Sequence, residues 1–156
     1  MDKNIQTITK FYTAFQQLDA ATMNSCYSDD IVFNDPAFGL LDTAQTKAMW
    51  QMLCTRAKDF SLEFGPIKTD DDEYYITNWQ ANYTFSATGR KVTNRIKAFM
   101  RLQDGVIIEH SDAFSFHKWA SQALGFPGWL LGWNSFFHKS FTNKALKNLH
   151  KFMQKK

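Results

Sequence analysis

The sequence predicts an α+β fold: N-terminal helices packed on one face of a curved antiparallel sheet, followed by a C-terminal helical extension. Three observations carry this. Apolar residues recur at helical spacing early in the chain, alternate at strand spacing through its middle, and return to helical spacing near its end. The strand-like stretches are consecutive and joined by short turns, so they pair as hairpins. At 156 residues the chain is one domain long enough to bury a sizeable core.

The elements follow in order. Residues 4–18, NIQTITKFYTAFQQL, repeat apolar positions at Ile5, Ile8, Phe11/Tyr12, Phe15 and Leu18, an amphipathic helix. Asp19 is placed to cap a second short helix through Tyr27, which leaves Ser28-Asp29-Asp30 as a turn. IVFND reads as a short strand stopped by Pro36, with Ile31, Phe33 and Asp35 on one face. Asp42, with Gln45 three residues on, opens a helix to about Lys58 as a capping-box variant. FSLEFGPIKT is a strand, and the acidic run Asp70-Asp71-Asp72-Glu73 a solvated turn lacking the glycine and distal Glu of a calcium loop. YYITNWQANYTFS alternates cleanly, ATGRK turns the chain, and VTNRIKAFMRLQ alternates again. Asp104-Gly105 is a hairpin turn leading into IIEHSDAFSF.

That last stretch poses the functional question. At strand period Ile108, His110, Asp112, Phe114 and Phe116 share one face, so an imidazole and a carboxylate sit within an apolar stripe. Burying both costs several kcal/mol unless each finds a partner or a wet cavity. A curved sheet folded round its helices supplies such a cavity at its open end, and His110 and Asp112 are expected to face it.

Composition excludes several classes. No apolar run approaches the roughly 18 residues needed to span a membrane, and MDKNIQTITK lacks the apolar core of a secretory signal. Cys26 and Cys54 are isolated, without CxxC spacing, so they read as buried small residues in a reduced, cytoplasmic setting. His117, His138 and His150 are scattered without metal-ligand spacing, and there is no phosphate loop, GxSxG elbow or dinucleotide fingerprint. No metal or cofactor is expected. Residues 1–133 carry 12 Lys and Arg against 15 acids, whereas residues 134–156 carry six Lys and no acid. The basic character therefore belongs to the tail, and nucleic-acid binding is not expected.

Three passages, FYTAFQQLDAATMNSCYSDDIVFNDPAFG (11–39), MRLQDGVIIEHSD (100–112) and the strand–turn–strand between them, resemble the nuclear transport factor 2-like superfamily, especially its SnoaL-like and ketosteroid isomerase-like members. The resemblance implies a cone of curved sheet wrapped by helices over about residues 4–116. We take residues 1–116 as that domain and 117–156 as a helical extension packed on or near it. A homodimer is expected, both from the resemblance and from the sheet's outer face, where Phe99 sits among Thr93, Arg95, Lys97 and Arg101.

Residue by residue, DDIVFNDPAFG is similar to the isomerase passage whose Asp-Pro pair supplies the general base, which places that role on Asp35. The rest of the isomerase apparatus is absent. The tyrosine position falls on Phe11, with Tyr12 next door but about 100° round the helix, and the second acid's position falls near Ala98. Steroid isomerisation is therefore not expected. SnoaL-like cyclases carry a His or Asp on the strand after the hairpin, which points to His110 and Asp112. In this arrangement Asp112 fixes the imidazole tautomer, His110 exchanges the proton, and Asp35 acts from across the pocket. The bland alternative is a buried pair that only pins the strand.

Candidate ligand-binding residues are Tyr12, Trp50, Trp79, Tyr83, Asn94 and Phe114, although aromatics at such spacing also serve as ordinary core. For the tail, with WLLGWNSFF and its lysines, three placements compete. First is a helix folded over the cone mouth, closing it with Trp129 and Trp133; next a dimer element; last a basic segment on an anionic membrane. The leading reading is a SnoaL-like small-molecule enzyme using cofactor-free acid–base chemistry, of isomerase, cyclase or hydrolase type, on an apolar ligand. The alternative is a non-catalytic binding or dimerisation module.

Overall fold

The computed structural model describes residues 2–70 and 73–155. Helix α1 (Lys3–Gln16) starts at Asp2, whose side chain accepts from the Asn4 N–H, and buries Ile8, Phe11, Tyr12 and Phe15 at helical spacing. Asp19 caps α2 (Ala20–Ser25) through the Thr22 N–H. Asp42 and Gln45 close a full capping box on α3 (Thr43–Arg56): the Gln45 N–H donates to Asp42 Oδ1 at 2.9 Å, and the Asp42 N–H to Gln45 Oε1 at 3.0 Å.

The strands are β1 (Tyr27–Asp35), β2 (Gly39–Leu41), β3 (Ser61–Phe64), β4 (Lys68–Asp70), β5 (Tyr74–Phe85), β6 (Arg90–Gln103) and β7 (Val106–Ala113). They form one open curved sheet in the order β2-β1-β7-β6-β5-β3, with β4 also on β5. Every pairing is antiparallel except β1 with β7, which is parallel. Asp104 and Gly105 both take positive φ, 52° and 78°, the backbone a two-residue hairpin requires for its twist to match the strands.

Local expectations fail where the ladder overrides them. Ser28-Asp29-Asp30 is not a turn but lies within β1, and α2 ends before Tyr27. Tyr27 pairs with Ile107, the register slips before Val32, and the bulge absorbs the polar residues. FSLEFGPIKT is two strands rather than one, because Pro66 has no N–H to give the ladder. In β7 a register shift makes Ile107, not Ile108, the inward residue. The strand also stops at Ala113, so Phe116 opens the next helix. Of the acidic run, the Glu73 N–H donates to Asp70 O at 3.3 Å; Asp71 and Asp72 lie outside the described residues.

The extension forms α4 (Phe116–Leu124), α5 (Phe126–Leu131) and α6 (Ser135–Gln154). Helix α4, capped by Ser115, lies on β6, where Phe116, Trp119, Ala120 and Ala123 bury Val92. Gln122 ties the two together by accepting the Thr93 N–H on Oε1 at 2.8 Å and Arg90 Nε on its carbonyl at 2.7 Å. Helix α6 returns along α3 and sends Leu149 into the main core. His138 on α6 donates from Nε2 to the Pro36 carbonyl at 2.6 Å. Among the described residues no helix is long and apolar enough to cross a membrane.

Candidate active site

The parallel pairing of β1 with β7 builds the site floor. Phe33 pairs with His110 and Asn34 with Ser111, so the next step along both strands brings Asp35 and Asp112 side by side on the inner face. Neighbouring strands lie about 4.8 Å apart. Both carboxylates line a cavity of about 600 Å³ enclosed between sheet, α3 and the extension.

Behind Asp112 runs a chain of buried polar groups. Trp50 Nε1 donates to the Tyr27 hydroxyl at 2.8 Å, the Tyr27 hydroxyl meets His110 Nδ1 at 2.8 Å, and His110 Nε2 meets Asp112 Oδ1 at 2.9 Å. An indole N–H is donor only, so the tyrosine oxygen accepts from Trp50 and its own proton goes to Nδ1. The imidazole then carries its proton on Nε2 and donates it to Asp112. Each of these contacts is satisfied in one direction, from Trp50 through to the carboxylate. Phe11 and Phe33 meet the imidazole edge-on, with ring centroids 5.6 and 5.0 Å away, and Trp50 lies parallel to it at 6.3 Å.

Asp35 is held differently. Its Oδ1 accepts the N–H groups of Ala37 (3.0 Å) and Phe38 (2.7 Å), an Asx turn around Pro36 that leaves Oδ2 for the cavity. The residue as a whole is half-buried, but its carboxyl is crowded by the cavity wall. That desolvation pushes it up to about 7; the Phe38 N–H opposes the rise and the neighbouring Asp112 adds to it.

The walls are largely apolar. Trp50, Trp79, Tyr83, Asn94 and Phe114 stand on them, joined by Trp119 of α4 and Phe141 of α6, with Arg56 and Lys144 toward the rim. Trp119 Nε1 donates to the Tyr83 hydroxyl at 2.7 Å, so the Tyr83 proton is free to point at a cavity occupant. Burial pushes the Tyr83 hydroxyl up, with the Asp35 charge adding to the shift, which keeps it a proton donor at neutral pH. Trp79 Nε1 is buried and has no hydrogen-bond partner among the described residues.

Two sequence-predicted residues lie off the cavity. His110 is sealed behind Asp112 at 2% exposed, because the aromatic packing of Phe11, Phe33 and Trp50 closes over it. Tyr12 is fully buried against Phe64 and Trp79, its hydroxyl without a partner among the described residues, because its side of α1 faces the packed core. Trp129 and Trp133 do not close the mouth either; Trp119 and Phe141 take that side. Sequence reasoning missed the part played by Tyr27. The signal available was that a buried imidazole needs a partner on each nitrogen; that Tyr27 is that partner follows from its pairing with Ile107 across the two strands.

The SnoaL-like domain model matches residues 8–110. No curated protein sequence matches the chain. Among solved structures it is similar to a protein with a ketosteroid isomerase-like fold from Catenulispora acidiphila, crystallised with trimethylamine. That likeness has 12% identity and a TM-score of 0.67, covering 78% of this chain and 94% of that one. An LEH-like epoxide hydrolase of M. tuberculosis is 18% identical with TM-score 0.65, over 83% and 93% of the two chains. IdmH of Streptomyces antibioticus, provisionally assigned as a polyketide cyclase, is 22% identical with TM-score 0.62, over 75% and 95%. These likenesses establish the fold, and the match over most of the sheet and helices places the chain in the SnoaL-like domain family.

Proposed function

We propose that the chain is a cofactor-independent acid–base enzyme acting on an apolar ligand that bears a carbonyl or a comparable electrophilic oxygen. The observation that supports this best is a pair of carboxylates on adjoining strands, in unlike surroundings, at the floor of an apolar cavity. Such asymmetry is how one site holds an acid and a base together.

In this reading Asp112, oriented by His110, takes a proton from carbon beside the carbonyl. The released electron pair moves to the carbonyl oxygen, which accepts a hydrogen bond from Tyr83 and the proton of Asp35, giving the enol. Returning the proton from Asp112 to a different carbon, as the enol O–H gives its proton back to Asp35 and the carbonyl re-forms, gives an isomer. Attack of the enol carbon on a second carbonyl, whose oxygen takes the Asp112 proton while the enol O–H returns its own to Asp35, gives a cyclised product. His110 acts through Asp112 as a positioning residue. Asn94 offers a further donor to the ligand, and Trp50, Trp79 and Phe114 its apolar bed.

Residues 1–116 would carry the chemistry, with 117–156 completing the cavity wall. A homodimer through the outer face of β6, where half-buried Phe99 stands beside Lys97, belongs to the same reading, as does a cytoplasmic setting for the free thiols Cys26 and Cys54.

The test is deuterium exchange into a panel of cyclic and aromatic ketones, followed by mass spectrometry. Asp112→Asn and Asp35→Asn are expected to lower exchange by at least about a hundredfold. A second reading, a non-catalytic binding module, is favoured by the sealing of His110. Ligand binding with no exchange above the uncatalysed rate, or exchange unchanged in both variants, would establish it instead.

A further inference from the structure

The segment from α5 to the start of α6 inverts the pattern of a soluble protein. Its small residues point inward and its bulky apolar ones outward: Phe126, Trp129, Leu130, Trp133 and Phe136 are between 56% and 81% exposed. Single exposed apolar residues need no explanation, but a contiguous aromatic cluster does.

The exposure is built in. A Cβ at Gly128 would lie 2.0 Å from the Ala120 carbonyl oxygen, and one at Gly132 would lie 2.9 Å from the His117 ring. Only glycine lets this segment lie so close on α4. His117 Nε2 donates to the Trp129 carbonyl at 2.9 Å, and the His117 ring stacks on Trp133 at 3.9 Å. The aromatics are thus presented on a fixed platform.

Charge selects the occupant. Residues 113–156 hold seven lysines and no acid. Lys118 is exposed next to His117, and Lys139 is exposed about one turn past Phe136. A second copy seated on this face would bring two wholly cationic segments together. A surface that is apolar beneath and anionic above satisfies both features at once, and tryptophan with lysine is the composition that sits at such a boundary.

We propose that the face formed by α5 and the N-terminal end of α6 docks on an anionic lipid bilayer, with its aromatics at headgroup depth and without crossing. Anionic leaflets attract each nearby lysine enough to change affinity about fivefold.

The experiment is co-sedimentation of the full chain with vesicles of phosphatidylcholine alone or mixed with phosphatidylglycerol, with tryptophan emission followed in parallel. The expected result is binding to the mixed vesicles only, a blue shift, and release by salt. Trp129→Ser with Trp133→Ser abolishes binding, and Lys118→Gln or Lys139→Gln each weakens it about fivefold, with circular dichroism confirming that the variants fold. No binding to mixed vesicles, or equal binding to both kinds, overturns the proposal. So does a dimer by light scattering that the tryptophan substitutions dissolve, which would assign the face to a second copy.

Discussion

Asp35 and Asp112 face one cavity from adjoining parallel strands, yet only Asp112 has an imidazole behind it, with His110 Nε2 2.9 Å from its Oδ1. The pair is therefore electrostatically unequal before any ligand arrives. One oxygen of Asp112 takes an N–H from a ring fixed by Tyr27. Among the described residues Asp35 is held by two backbone N–H groups, and both fall on Oδ1.

This inequality sets a pH dependence. Asp35 is pushed up to about 7 from the ordinary 3.8. Between those values the folded chain keeps a proton that the unfolded chain has released. The stability associated with Asp35 is thus fully present below the unfolded value and is lost as pH rises through the folded one, at up to about 1.4 kcal/mol per pH unit. Asp35→Asn cannot titrate. Its stability relative to wild type is expected to rise from about pH 4 to about pH 7 and then level, measured by urea unfolding across that range. A constant difference would show that Asp35 is not raised. If Asp35 is the acid, wild-type turnover also falls above about pH 7.

Tyr27→Phe isolates the relay. It removes the proton donated to His110 Nδ1 and leaves Trp50 Nε1 without an acceptor, both in dry surroundings. Stability is expected to fall by about 1–3 kcal/mol. Freed from Tyr27, the ring can exchange tautomers and lose its grip on Asp112, so kcat drops by about tenfold or more with little change in KM. The His110 ring nitrogens, followed by NMR, should shift in the same variant. Unchanged nitrogen shifts would show that the tautomer does not depend on Tyr27.

The parts of this arrangement that obey local rules were legible in the sequence. Asp19, the Asp42–Gln45 box and Asp104-Gly105 each act within four residues of chain, and each does what its spacing predicts. The inward stripe of β6 from Val92 to Met100 likewise follows strand alternation. What was not legible depends on register between distant strands. The nearness of Asp35 to Asp112 exists only because β1 runs parallel to β7, which nothing local in DDIVFNDP states. The bulge that draws Tyr27 back into β1 likewise needs Ile107 as its partner. Trp119 reaches the cavity because Val92 seats α4 on β6, a tertiary choice invisible in HKWASQALG.

Tyr83 supplies the next test. Its oxygen is occupied by Trp119 Nε1 at 2.7 Å, so its remaining hydrogen-bonding capacity faces the cavity as a donor. Tyr83→Phe removes that donor from a developing oxyanion. The expected effect is a loss of about 10²–10³ in kcat, with KM nearly unchanged, and exchange into ketones suppressed in proportion. A rise in KM alone would mean that Tyr83 only shapes the pocket. Trp119→Phe separates the two effects, since it frees the Tyr83 oxygen without removing its proton.

The close seating of α5 on α4 makes a prediction about stability that does not involve the cavity floor. At Gly128 an added methyl would meet the Ala120 carbonyl oxygen at 2.0 Å and its carbon at 2.5 Å, backbone atoms that cannot swing aside. Gly128→Ala therefore has to lift α5 away from α4. It is expected to cost about 1–3 kcal/mol, as overpacking does, and to break the bond from His117 to the Trp129 carbonyl. Gly39 is the control. It has a φ of +74° but nothing within 4 Å of an added Cβ, so Gly39→Ala suffers only backbone strain, about 1–2 kcal/mol. Hydrogen exchange distinguishes the two variants: Gly128→Ala should expose amides from Ser121 to Gly132, whereas Gly39→Ala should leave them protected. Equal protection there in both variants would show that the close approach at Gly128 is not what holds α5 in place.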